Sequence, residues 1–217
     1  MAGRNGLYRE VVMQNVSRLP DVSRANGKAP VPETSDEALL ESIAEGDRSA
    51  MRILFRRHNV AVYRFASRLT GDPTLAEDIV SEVFLDVWRQ AATFAGISRV
   101  STWLLAITRN KAISARRRRT NSQLDDDVAL HLVDPADSPE IVVHRQDRSE
   151  ILQACLTRLT PSHREIIDLV YYHDKSVDEV SQIIGAPANT VKTRMFYARR
   201  ILAVMLRAAG VDGAGTP

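Results

Sequence analysis

Apolar residues recur every three or four positions over most of this chain, and nowhere do they alternate long enough to argue for a strand. Leu39, Leu40 and Ile43 make the first stripe. Thr34 and Glu37 before it have capping-box spacing, and Gly46 after it suits a helix end. Asp47 is placed to cap a second helix that carries Met51, Leu54, Phe55, Val62, Phe65 and Leu69 inward as far as Gly71. Asp72-Pro73 opens a third, because proline in the first turn gives up an amide donor that has no partner there anyway. It is expected to reach about Ala92 with Val80, Val83, Phe84 and Val87 turned inward. After Gly96 a fourth helix is predicted from about Ser101 to Arg118.

Periodicity then fades from Thr120 to about Glu140 and resumes from Ile141 with Ile151, Leu152, Cys155, Leu156 and Leu159. Thr160-Pro161 marks a new start, and Ser176 with Glu179 forms a second capping box for a helix through Ile184. Gly185-Ala186-Pro187-Ala188 breaks that helix, and a last one is predicted from about Asn189 to Arg207. The fold expectation is all-α, with two small helical domains at 35–119 and 144–207. Between them lies a flexible linker over 120–143, with a flexible arm over 1–34 and a flexible tail over 208–217. The arm holds Gly3, Gly6, Pro20, Gly27, Pro30 and Pro32 among polar and basic residues, a composition with little apolar surface to offset ordering entropy.

Two short helices around a glycine-containing turn, the second basic, fit a helix-turn-helix whose second helix enters a major groove. At 100° per residue, Val191, Met195, Ala198, Leu202 and Met205 fall within about 40° of one line and define a core stripe. Asn189, Thr193, Phe196 and Arg200 lie opposite, flanked by Lys192 and Tyr197. Amide, hydroxyl and guanidinium groups there suit base edges, and the cations suit phosphates. Phe196 on that polar side either packs against the preceding helix or meets a thymine methyl. Tyr171 and Tyr172 fit core or interface positions better than base stacking. The bland alternative for the whole face is a solvated basic helix.

Charge sharpens the division. The formal net charge is only +2, yet from Trp88 to Leu124 there is no aspartate or glutamate, while Arg89, Arg99, Arg109, Lys111, Arg116, Arg117, Arg118 and Arg119 all fall there. Phase places Trp103, Ile107, Asn110, Ser114, Arg117 and Arg118 on one side of the fourth helix and Leu104, Leu105, Thr108, Ala112 and Ala115 on the other. Aromatic, amide and cationic groups together suit unpaired DNA; the alternative is a core tryptophan followed by a solvated arginine run. On the third helix Asp78, Glu82, Leu85 and Arg89 face outward, which leaves a leucine among charges. The linker, with Asp125, Asp126, Asp127, Asp134, Asp137 and Glu140, is acidic.

The single cysteine, Cys155, forms no internal disulfide and is expected to be a buried thiol; no Cys/His spacing resembles a zinc site, so neither metal nor cofactor is expected. A reducing cytoplasm is the default compartment, since no signal-peptide core or stretch of about 18 apolar residues occurs. An enzyme using Asp125 to Asp127 as metal ligands is disfavoured, because a flexible tether provides no preorganised site. A freestanding helix-turn-helix regulator accounts for the last helices but leaves the Leu85 and Trp103 surfaces unexplained.

Three strings in order, "AEDIVSEVFLDVW", "STWLLAITRNKAISARRRR" and "LTPSHREIIDLVYYHDKSVDEVSQIIGAPANTVKTRMFYARRIL", closely resemble bacterial RNA polymerase sigma factors of the extracytoplasmic-function group, over about residues 36 to 207. The resemblance implies a non-catalytic promoter-recognition subunit, with a promoter-melting bundle and a -35 reader. It implies that Asp78, Glu82, Leu85 and Arg89 grip the clamp helices of the largest polymerase subunit. It further implies that the loop Phe94 to Thr102 captures a flipped base of the -10 element, with Phe94, Arg99, Thr102, Trp103, Asn110, Lys111, Arg117 and Arg118 as contacts. Asn189, Lys192, Thr193, Arg194, Phe196, Tyr197, Arg199 and Arg200 would serve the -35 element, and the same domain would meet the flap of the second-largest subunit. Promoter DNA, core polymerase and an anti-sigma factor, held in some relatives at the inner membrane, are the implied partners; no small-molecule substrate is. Asp125 to Asp127 would lie in the RNA path as a polyanion or remain a solvated linker. Ser181 and Asn189 depart from the group's usual alanine and glycine, which bears on the tilt and promoter preference of the reader.

Overall fold

The computed structural model describes residues 34–125 and 148–210. The arm, Asp126 and Asp127 with most of the linker, and the end of the tail lie outside the described residues. Among the described residues every regular element is a helix: α1 Asp36–Ala44, α2 Arg48–Thr70, α3 Pro73–Gln90, a 3-10 turn Ala91–Thr93, α4 Val100–Asp125, α5 Arg148–Thr157, α6 Pro161–Tyr171, α7 Val177–Ile184 and α8 Ala188–Ala208. The chain divides into two compact units, Met1–Ile113 and Ser114–Pro217, with the boundary inside α4.

In the first unit the local signals set the helix ends. Asp47 accepts from the Ser49 amide at 2.6 Å, and Asp72 from the Leu75 amide at 3.1 Å with Pro73 behind it. Gly71 ends α2 at φ 69°, a left-handed turn that favours glycine. One cap differs from the sequence expectation. Ser35, not Thr34, accepts from the Ala38 amide at 3.2 Å. Thr34 instead offers its carbonyl to Arg57 at 2.7 Å, a contact spanning 23 residues that local spacing does not reveal.

The core forms where α1 and α3 pack on α2. Leu39, Leu40 and Ile43 meet a helix whose Leu54, Val62 and Phe65 are fully buried, and Phe55 meets Phe84 edge-on with ring centroids 4.8 Å apart. Val80, Val83, Phe84 and Val87 are all buried, as the stripe on α3 requires. Each such large apolar side chain contributes roughly 1.5–3 kcal/mol by leaving water. Asp36, the first residue of α1, ties that helix to α2 by accepting from Arg57 at 2.8 Å and lying 2.6 Å from His58 Nε2. Burial pushes the Asp36 carboxyl up, but the hydrogen bonds and positive charge of Arg57 and His58 outweigh it and hold the group below its usual value.

In the second unit α8 packs against α5, α6 and α7. Ile166, Leu169, Val180, Val191 and Ala198 are fully buried there, and Cys155 is a buried thiol. Arg164 closes the carboxyl end of α5 by donating to the carbonyls of Leu156 and Leu159, each at 3.0 Å, and to that of Thr157. Such a cation satisfies carbonyls that have no helical partner. Ser176 and Glu179 form the reciprocal capping box, at 3.0 Å and 3.3 Å. Gly185 takes φ 65°, and the Ser181 hydroxyl donates to the Ala186 carbonyl at 2.6 Å. Serine at 181 therefore pins the turn between α7 and α8.

Candidate nucleic-acid interface

The α8 side chains sort as their phase requires. Val191, Met195 and Ala198 are buried and Leu202 and Met205 half-buried, while Asn189, Lys192, Thr193, Phe196, Tyr197, Arg199 and Arg200 are exposed. Arg194 is half-buried. Phe196 does not retreat into the core: it is 60% exposed, with its ring 5.5 Å from that of Tyr197 in an edge-on arrangement. It borders an open groove of ≈ 800 Å³ whose lining includes Lys175, Val177, Lys192, Met195, Arg199 and Arg200. An apolar floor rimmed by cations suits a polyanion that also carries apolar groups.

Two α8 groups have internal partners. The Thr193 hydroxyl donates to the Asn189 carbonyl at 2.9 Å, leaving its methyl and lone pairs outward, and the Arg199 guanidinium lies 5.5 Å from the centre of the Tyr171 ring. Tyr171 and Tyr172 are exposed at 54% and 44%, so neither takes a core position. They sit at the carboxyl end of α6, where the apolar phase of that helix has run out, and of the two expected placements, core or interface, exposure leaves the interface.

On α4 the two faces also separate as expected. Leu104, Leu105, Thr108, Ala112 and Ala115 are buried, and Thr108 returns its hydroxyl proton to the Leu104 carbonyl at 2.7 Å. Trp103 and Ile107 are half-buried, and Asn110, Ser114, Arg117 and Arg118 are exposed. Trp103 is neither free nor enclosed: Phe94 lies against it with ring centroids 5.2 Å apart. That pair braces the loop into α4, whose first turn is closed by the Arg99 carbonyl accepting from Thr102 and Trp103 amides at 3.0 and 3.1 Å. Arg99 itself is exposed.

Two of the sequence-assigned contacts on this helix change character. Thr102 is 1% exposed and forms part of the interior. It follows the loop so closely that its phase on α4 was not fixed by sequence. Lys111 reaches back to α3, with Nζ 2.7 Å from Asp86 Oδ2 and 3.3 Å from Glu82 Oε2. A residue missed by the sequence reading is Ile97, which stands 84% exposed beside Gly96 at φ 67°. An isoleucine next to a loop glycine, with no periodic partner, was the available signal.

On the outward face of α3 Asp78, Glu82 and Arg89 are exposed, but Leu85 only in part. Leu85 is half-buried rather than exposed among charges. The helix continues about two turns past the expected Arg118 to Asp125, through Thr120, Asn121, Ser122 and Gln123. Among the described residues no cluster of three or more His, Cys, Asp or Glu side chains is placed to hold a metal, and no helix is long and apolar enough to cross a membrane.

Residues 54–122 match the family described as Sigma-70 region 2, and residues 149–202 the one described as Sigma-70, region 4. The chain is 31% identical over 175 residues to the ECF RNA polymerase sigma factor SigL of Mycobacterium tuberculosis, covering 80% of this chain and 98% of that one. It is 30% identical over 175 residues to SigK of Mycobacterium ulcerans, covering 78% and 93%. Among solved structures, the sigma factor RpoE of Bartonella quintana, in complex with the anti-sigma factor NepR, superposes with a TM-score of 0.56 at 26% identity, covering 72% of this chain and 96% of that one. CnrH, solved with the cytosolic domain of CnrY, shares the fold with a TM-score of 0.59 at 24% identity, covering 80% and 97%.

Proposed function

The chain belongs to the sigma-70 family, in its extracytoplasmic-function group of RNA polymerase sigma factors, and on that premise we propose how its surfaces divide the work of starting transcription. The face of α3 with Asp78, Glu82, Leu85 and Arg89 docks on the clamp helices of the largest polymerase subunit. The loop from Phe94 and the amino-terminal part of α4 hold the nontemplate strand of the -10 element. There Phe94 and Trp103 offer an aromatic wall, Asn110 an amide and Arg99 positive charge for phosphates, and Arg117 and Arg118 add charge farther along α4. Flipping a base costs a few kcal/mol of stacking, which only a shaped receptor can offset. In the second unit α8 reads the -35 duplex with Asn189, Lys192, Thr193, Phe196, Tyr197, Arg199 and Arg200, while the same unit meets the flap of the second-largest subunit.

The polymerase supplies all the bond chemistry. An anti-sigma factor restrains the protein, as the complex of RpoE with the anti-sigma factor NepR suggests by kinship, and tethering at the inner membrane is one way to hold it. Its working compartment is the cytoplasm, at the nucleoid when active.

The observation that carries this reading is the pair of amphipathic basic helices, one entered through an aromatic-braced loop and one set in a helix-turn-helix. The test is transcription of a genomic fragment library by core polymerase with and without the protein. Discrete start sites that appear only with both components are expected. Tight, sequence-specific duplex binding by the protein alone, with no association with core, would contradict the reading.

A further inference from the structure

Lys111 falls in the basic stretch of α4, but its position is unlike that of the arginines that follow it. Its ammonium lies 2.7 Å from Asp86 and 3.3 Å from Glu82, and its side chain is only 20% exposed. Asp86 is comparably covered, at 24%, whereas Glu82 is half-exposed at 49%. Glu82 and Asp86 stand four residues apart on one face of α3, where two like charges repel. A cation between them removes that repulsion. The three groups together carry one net negative charge, so the cluster disfavours an approaching phosphate, and donation to DNA would require Lys111 to give up a carboxylate.

The link also joins two elements with different tasks. Glu82 belongs to the polymerase-facing side of α3, and Asn110, the residue before Lys111, is exposed on the promoter-facing side of α4. Resting on the sigma-factor reading above, we infer that Lys111 is a positioning residue that contacts no DNA. It fixes the register of α4 against α3, so that once α3 is seated on polymerase the Trp103–Asn110 surface is already aimed at the strand to be opened. Asp86 is its principal anchor. Glu82 is the looser one, left free to engage polymerase with its remaining acceptor sites.

The test uses holoenzyme assembled from full-length chain and core polymerase. Lys111→Met keeps the stem and removes the charge. Open-complex formation is expected to slow about fivefold, the upper end for a partly exposed ion pair, while core affinity stays within about twofold. The salt dependence of promoter binding is expected to keep its slope, because no phosphate contact has been lost. Lys111→Asp alone should be worse, and Lys111→Asp combined with Asp86→Lys should restore opening to within about threefold of wild type. A salt slope shallower by about 0.7–0.9 in Lys111→Met would show a lost phosphate contact and overturn the inference. So would unchanged opening in Lys111→Met, or a combined exchange no better than Lys111→Asp. Wild-type association with core, measured in parallel, tests the sigma-factor reading separately.

Discussion

The basic helices α4 and α8 share a plan and differ in how they begin. Both bury one apolar stripe and expose amide and guanidinium groups on the other side. Before α8 there is a tight turn, set by Gly185 at φ 65° and by the Ser181 hydroxyl on the Ala186 carbonyl. Such a turn fixes how α8 follows α7, which suits a groove whose shape already exists. Before α4 lies a longer loop with an exposed Ile97 at its tip and Phe94 folded back on Trp103. A loop braced by two rings suits a ligand that exists only once a base has left the duplex. On the proposed function similar charge serves two purposes, and the entry to each helix separates them.

The comparison can be broken at several levels, beginning with the scaffold. Phe84→Ala should cost about 3–5 kcal/mol, because the ring is fully buried against Phe55, and a denaturant titration will read the loss. Trp103→Ala should slow strand opening by roughly 1–3 kcal/mol, the value of one base on an aromatic face, with core affinity unchanged; permanganate reactivity of the -10 thymines reports it. Arg200→Ala should weaken -35 recognition by about 1–3 kcal/mol while leaving opening on a strong -10 element intact, as measured by competition between -35 variants. Ser176→Ala removes the cap of α7 and should cost about 1 kcal/mol in the second unit, visible as a shift in thermal unfolding.

The smallest effect concerns pH. Asp36 has a lowered folded-state pKa, so its ionised form favours the folded chain. That contribution is complete above the ordinary aspartate value of about 3.9 and disappears as pH falls through the lower folded value. Asp36→Asn should therefore be less stable than wild type at neutral pH, and the gap should close on acidification below about pH 4. A gap that persists unchanged in acid would show that packing, and not charge, ties α1 to α2.

Much of this was legible in the residues. Asp47, Asp72-Pro73, Thr160-Pro161 and Ser176 with Glu179 announced four helix starts, because capping is decided within a single turn. The stripes of α3, α4 and α8 gave their buried faces for a similar reason: phase is a local property. What escaped depends on distant neighbours. Arg57 decides the role of Thr34, and Asp86 with Glu82 decides that of Lys111. Thr102, assigned to the -10 loop by resemblance, is buried, and its burial depends on neighbours that a motif match does not show. The extension of α4 to Asp125 has no apolar stripe to announce it, since Leu124 is its one apolar residue and the segment follows a helix already nucleated.

The claim that one helix opens DNA and the other reads it closed is tested most directly by comparing a fully duplex promoter with one held unpaired across the -10 element. Both templates would be transcribed by holoenzymes carrying Trp103→Ala or Arg200→Ala. The account predicts that the unpaired template restores most of the activity lost by Trp103→Ala and none of that lost by Arg200→Ala. Equal rescue of the two variants, or rescue of Arg200→Ala alone, would contradict it.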